Sequence, residues 1–192
     1  MPYLYVIRHG QTGWNAEARL QGQRDIPLND TGRAQARKNG KTLLRLLKQP
    51  QDFDFVASPL IRAGETMELI RGELGLAKTG FRDDERLKEV DFGDWEGRTR
   101  AWLLAETPEL LKKREADGWN FCPPNGESYA RMSTRVAAWL NDVQKDTVMV
   151  AHGGVLRILQ VLVAGAPPRA APELPAPQDQ VMQIIKNRIE WI

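Results

Sequence analysis

Thr147-Val148-Met149-Val150-Ala151-His152-Gly153-Gly154 decides the fold. A β-favouring, mostly apolar run ends on a histidine and two glycines, and an apolar helical pattern continues to about Ala164. That reads as a buried strand passing straight into a helix. Tyr3-Leu4-Tyr5-Val6-Ile7-Arg8-His9-Gly10 repeats the form near the N-terminus. Short apolar strands alternating with helices predict an α/β fold with a mainly parallel central sheet. In such sheets ligands bind beyond the carboxyl ends of the strands. His9 and His152, the chain's two histidines, thus stand where chemistry is expected, and they meet if their strands are neighbours.

Working outward, Gln11 to Leu28 reads as a long polar loop. Asn29 or Asp30 then caps a helix to about Lys48, with Leu43, Leu44 and Leu47 on one face. Phe53 to Ala57 is a second strand, leading into Ser58-Pro59 as cap and first helical residue of a helix through about Leu74. Arg82 to Val90 is extended but charged, which suits a sheet edge. Residues 97–126 carry two short helical patterns and Trp102, Trp119 and Phe121, an excursion expected to hold a small core of its own. Glu127 to Lys145 is an amphipathic helix by its apolar spacing. A Pro/Ala-rich loop (Pro167 to Pro177) precedes a last strand, Val181 to Lys186. The 192 residues fit one domain, 1–192, with an insertion at about 97–126.

Composition removes several function classes. Lys and Arg number 27 against 25 Asp and Glu, a net charge of +2, without the basic excess of a nucleic-acid binder. Cys122 is the single cysteine, so no intramolecular disulfide or cysteine zinc cluster forms. No uncharged stretch approaches the ~20 residues of a membrane span, and the N-terminus lacks the basic and apolar regions of a signal peptide. A cytoplasmic setting is the expectation, with no nucleic-acid or membrane partner; a homodimer stays open. Two imidazoles and a carboxylate could bind zinc, but no short-spaced ligand pair such as His-x-x-x-His is present, so no metal and no cofactor are expected.

The arginines narrow the chemistry. Arg8 precedes His9, and Gly10 lets the strand break its regularity so that both side chains reach one site. Arg62 lies early in its helix, where side chains lean back toward the N-terminus, over the same sheet edge. Guanidinium forks beside imidazoles describe an anion site with phosphate the natural occupant. The run Lys112-Lys113-Arg114 could bind a second phosphate, but such a charge run reads first as a solvated helix face.

Arg8-His9-Gly10-Gln11-Thr12-Gly13-Trp14-Asn15 resembles the RHGxTxxN signature of the histidine phosphatase superfamily, also called phosphoglycerate-mutase-like. Further blocks follow in order: Gln21-Gly22-x-x-Asp25-x-Pro27-Leu28-x-x-x-Gly32, Ser58-Pro59-Leu60-x-Arg62-Ala63-x-x-Thr66, Leu87-x-Glu89-x-x-x-Gly93-x-Trp95-Glu96-Gly97, and Val150-Ala151-His152-Gly153-Gly154. The resemblance implies a three-layer α/β/α fold in which the 97–126 insertion is a helical lid. It implies that His9 is a nucleophile forming a phosphohistidine, with Arg8, Arg62 and His152 around the phosphoryl oxygens and Glu89 as general acid and base. Asn15, Gln21, Gly22 and Gly153 would bind substrate, a small phosphomonoester. Asp91, Glu96 and Glu127 are rival carboxylates. Gln11 stands where many phosphatase relatives carry glutamate, which makes the rim less acidic.

The same catalytic set serves hydrolysis and intermolecular phosphoryl transfer. Arg98-Thr99-Arg100-Ala101-Trp102-Leu103-Leu104-Ala105-Glu106-Thr107 lacks the Arg-Tyr-Tyr-Gly stretch of bisphosphoglycerate-dependent mutases, and Pro123-x-x-Gly126-Glu127-Ser128 resembles a turn of the phosphatase branch. The expectation is a phosphatase, with a mutase, a non-catalytic phospho-ligand binder and a metal-dependent hydrolase as alternatives.

Overall fold

A computed structural model describes residues 2–192. β1 (Leu4–Arg8), β2 (Asp54–Ala57), β3 (Arg82–Asp83), β4 (Thr147–Ala151), β5 (Val181–Ile185) and β6 (Arg188–Trp191) form one sheet in the order β3-β2-β4-β1-β5-β6. β1 to β4 pair in parallel, while β5 and β6 close one edge as an antiparallel hairpin. The register sets Arg8 opposite Ala151 and Ala57 opposite Val150. His9 N–H donates to the Ala151 carbonyl and Ser58 N–H to the Val150 carbonyl, each at 2.9 Å. Three strand ends therefore stop level with one another.

Alternation along the strands divides the core. Leu4, Val6, Met149, Ala151 and Met182 face α6 (Tyr129–Asp142) and α7 (Gly153–Ala164). Tyr5, Ile7, Phe55, Val148 and Val150 face α2 (Asp30–Leu46) and α3 (Ile61–Glu73). This is the three-layer arrangement, and burying each such side chain contributes about 1.5–3 kcal/mol. α2 and α3 approach closely at Gly40, where a Cβ would lie 2.8 Å from the Glu73 Cβ.

Several sequence expectations shift. Gly13–Ala16 forms a short helix, α1, inside the polar loop; Thr12 caps it, with Asn15 completing a reciprocal capping box. Leu43 and Leu47 are buried, but Leu44 is 51% exposed, turned out beyond the apolar stripe. Ser58 does not cap α3. The helix starts at Ile61, whose N–H donates to Asp25 Oδ1 at 2.8 Å, a cap supplied from a distant loop. The last strand is followed by a second one, β6, across Lys186 and Asn187, both at positive φ as two-residue hairpins require. Residues Pro168–Glu173 of the Pro/Ala-rich loop wind into a 3₁₀ segment.

Between 97 and 126, α4 (Arg100–Glu106) and α5 (Pro108–Ala116) pack Leu103 and Leu111 around Trp95, with Trp102 and Phe121 against them. Trp119 departs from that cluster and packs on the main core with α6 and α7. Among the described residues no helix is long and apolar enough to cross a membrane.

Candidate active site

The level strand ends bring His9 and His152 together, ring centroids 5.1 Å apart and tilted by 57°. His9 is 2% exposed and His152 fully buried beneath it. His9 Nδ1 lies 2.7 Å from the Gly10 carbonyl. A carbonyl only accepts, so the ring proton resides on Nδ1 and Nε2 keeps its lone pair. Arg62 Nε donates to that lone pair at 3.2 Å. Gly10 is pinned in turn: its N–H donates to Thr66 Oγ1, and Thr66 donates to the Arg62 carbonyl one helical turn back. A Cβ at Gly10 would penetrate the Gly32 carbonyl at the start of α2, so only glycine fits this approach.

Burial, then Arg62 and Arg8, holds His9 well below the usual histidine pKa, and burial with the same arginines does so for His152. Both rings are neutral at neutral pH. For His9 desolvation is the larger cause, ahead of like-charge repulsion from the arginines.

Arg62 is completely buried, and its remaining nitrogens donate to the carbonyls of Arg24 (2.6 Å) and Gly22 (2.8 Å). Burial lowers it to about 10, so it stays charged at neutral pH. The loop that supplies those carbonyls turns at Gly22, with φ +53°. Arg8 reaches the Ala176 carbonyl with Nη1 at 2.8 Å, while its Nε is buried without a partner. His152 Nδ1 is likewise buried without a partner, and its Nε2 lies 2.7 Å from Ser58 Oγ.

These groups floor a cavity of about 250 Å³ lined by Arg8, His9, Asn15, Gln21, Gly22, Arg62, Glu89 and Gly153. Every sequence-derived candidate thus lines one cavity except His152, which lies directly below it. Glu89 is fixed from α7, whose Gly154 N–H donates to both carboxylate oxygens at 3.0 and 3.3 Å. Its backbone carbonyl accepts from Gln23 and from Arg135. The rival carboxylates are occupied elsewhere. Glu127 forms a two-point ion pair with Arg135, Glu96 accepts from the Gln23 N–H, and Asp91 from the Gly93 N–H. Gln11 turns from the rim, its Oε1 accepting from Asn29 Nδ2.

Other groups lining the cavity were not anticipated: Arg19, Phe92, Arg114, Tyr129, Arg157 and Pro172 among them. Lys112 and Lys113 are exposed, but Arg114 turns inward, near Phe92 and Trp95, and burial lowers its pKa. The charge run is therefore not uniformly a solvated face. Arg157 is held by the Leu174 carbonyl (2.9 Å) and the Tyr129 hydroxyl (3.3 Å). It stands four residues after Gly153, and the backward lean that placed Arg62 would have found it too. Nothing local in the sequence marks Tyr129, and the charge run that holds Arg114 does not distinguish it from its two lysines. A larger hollow of about 420 Å³ adjoins through Arg114 and Pro172. Another, about 500 Å³, lies on the β5–β6 hairpin and is lined by Gln183, Ile185, Lys186, Arg188 and Glu190, with no histidine. Among the described residues no group of three or more His, Cys, Asp or Glu could hold a metal ion.

Comparison with known proteins gives the same family. The family described as the histidine phosphatase superfamily (branch 1) matches residues 4–190. Glucosyl-3-phosphoglycerate phosphatase of Mycobacterium tuberculosis is 34% identical over 178 residues, covering 85% of this chain and 76% of its own. A 2,3-bisphosphoglycerate-dependent phosphoglycerate mutase of Methylobacterium radiotolerans is 32% identical over 179 residues, 89% and 83% of the two chains. The solved structure of the mycobacterial glucosyl-3-phosphoglycerate phosphatase with VO3 superposes with a TM-score of 0.79 at 30% identity, covering 100% of this chain and 96% of that one.

Proposed function

The chain belongs to the histidine phosphatase superfamily, and on that footing we propose that it hydrolyses phosphomonoesters through a phosphohistidine on His9. One observation carries this: a buried, neutral imidazole whose Nδ1 is tied to the Gly10 carbonyl keeps its lone pair on Nε2, where Arg62 Nε now donates and would turn to a phosphoryl oxygen when Nε2 attacks. Its phosphatase relatives support the reading.

The Nε2 pair attacks phosphorus, the ester P–O bond breaks, and the leaving oxygen takes a proton from the Glu89 carboxyl. Water then attacks the phosphohistidine and returns a proton to Glu89. The P–N bond breaks back to Nε2, releasing inorganic phosphate. Charge on the phosphoryl oxygens faces Arg8, Arg62, Asn15 and His152, and each such preset donor is worth roughly 10²–10³ in rate. In this reading His152 turns its proton on Nδ1, the nitrogen without a protein partner, to a phosphoryl oxygen, and Ser58, 2.7 Å from Nε2, donates to that second nitrogen.

The segment 97–126 serves in this reading as the specificity insertion, and its Arg114, with Arg157, favours leaving groups bearing a further negative charge. The decisive test is a phosphomonoester panel in EDTA, including 3-phosphoglycerate with and without 2,3-bisphosphoglycerate. We expect hydrolysis that is chelator-insensitive and exceeds mutase turnover. His9→Ala should abolish both turnover and acid-labile phosphate incorporation. Mutase turnover exceeding hydrolysis would establish instead the activity named for the Methylobacterium relative.

A further inference from the structure

We propose that Gln178 is a positioning residue that sets which end of the Asn15 amide faces the phosphoryl group, an inference that rests on the phosphoryl-transfer reading of the cavity. Gln178 lies on the strap between the 3₁₀ segment and β5. The strap's carbonyls accept from the side chains around them: Leu174 from Arg157 and Ala176 from Arg8, both of the cavity, and Pro175 from Gln160 and Gln178 from Asn39 on the flanking helices. The Gln178 side chain reaches the opposite way, with Nε2 3.1 Å from the His9 carbonyl and 3.0 Å from Asn15 Oδ1.

Two backbone groups then fix both amides. The His9 carbonyl can only accept, so Gln178 must present its NH₂ there. The Thr12 N–H, 3.2 Å from Asn15 Oδ1, can only donate, so Asn15 must present its oxygen to it. Gln178 supplies the second donor to that oxygen. The Asn15 NH₂ is left for the cavity that Asn15 lines. A flipped Asn15 would set its NH₂ against two donors and lose both hydrogen bonds. Asn15 therefore meets the phosphoryl oxygens as a donor before any substrate arrives.

Gln178→Glu separates this role from simple packing. An ionised carboxylate in place of the amide repels the His9 carbonyl and draws the Asn15 NH₂ away from the cavity; protonating it restores a donor. The charged groups facing the strap are Arg8 and Arg157, both gripping its carbonyls, and the Lys38–Asp179 pair at 3.1 Å. The test measures p-nitrophenyl phosphate turnover, and inorganic phosphate affinity by calorimetry, in wild type, Gln178→Ala, Gln178→Glu, Asn15→Ala and the Asn15→Ala/Gln178→Ala double variant. Of the two hydrogen bonds that Gln178→Ala removes, the one to Asn15 Oδ1 predicts a fall in turnover of about fivefold. The Asn15→Ala background should shrink that to under about twofold, because the pair acts as one unit. Gln178→Glu should fall further at pH 7.5 and regain ground against wild type at pH 5. Multiplicative losses in the cycle, or a Gln178→Glu deficit that is flat with pH, would overturn the proposal while wild-type turnover leaves the phosphatase reading intact. A wild type that neither turns over nor binds phosphate would sink both.

Discussion

Gly154 and Glu89, 65 residues apart, meet through one backbone N–H that donates to both carboxylate oxygens. No side chain fits between them: a Cβ on Gly154 would overlap Glu89 Oε1 and lie 3.2 Å from the Met132 sulfur. The N-terminus of α7 thereby fixes the position of the proposed proton donor.

Gly154→Ala should accordingly displace the Glu89 carboxyl while the fold survives. We expect turnover to fall by about 10²-fold, the usual scale for a general acid–base group. Thermal unfolding and circular dichroism should show an intact protein. Turnover within twofold of wild type would detach Glu89 from the reaction.

The two buried imidazoles give stability a definite pH dependence. Each is held below its ordinary value of 6.5 when folded and regains that value when unfolded. Protons are then taken up on unfolding, so each histidine's contribution is present above 6.5 and lost as pH falls below it. The loss is about 1.4 kcal/mol per pH unit for each proton taken up, until the depressed folded value is reached. Urea unfolding at pH 7.5, 6 and 5 should show it, and His152→Gln should flatten the slope. For the same reason kcat/KM should show no acid limb near 6.5 from His9.

Ser58→Ala removes the partner of His152 Nε2 in a fully buried position. The unsatisfied nitrogen should cost about 1–3 kcal/mol, read as a lowered urea midpoint, with turnover reduced because the His152 proton is no longer directed to Nδ1.

Arg114→Met keeps apolar bulk beside Phe92 and Trp95 but removes the guanidinium. Losing one charged hydrogen bond predicts a drop in kcat/KM of about tenfold or more for esters with a second anionic group. Uncharged leaving groups should change by less than twofold. An equal loss on both classes would count against any role of Arg114 in selection.

Much of this was legible because chemistry sits where strand periodicity ends. His9 and His152 follow the two most regular apolar runs, and their matched settings bring them together on condition that their strands are neighbours, a condition the β1–β4 register meets. Arg62 followed from the lean of helical side chains. Ser58 misled for a physical reason: Ser-Pro fits a helix cap, but a hydroxyl beside a buried imidazole finds a stronger partner there, while Asp25 caps α3 from a separate loop. The support of Asn15 by Gln178 spans 163 residues and no local pattern encodes it. β6 went unread because four residues of alternating polarity after Lys186-Asn187 carry neither a long apolar run nor an Asn-Gly turn.

Arg8 Nε and His152 Nδ1, both buried without a protein partner, also bear on how the molecule is handled. Any oxyanion that satisfies them binds the native chain and not the denatured one, so it raises the melting temperature by mass action. A purification or formulation carried out in phosphate or sulfate would therefore overstate the robustness of the protein relative to an amine buffer. Crystallisation from sulfate-rich precipitants would, on the same grounds, compete with substrate analogues for these two nitrogens.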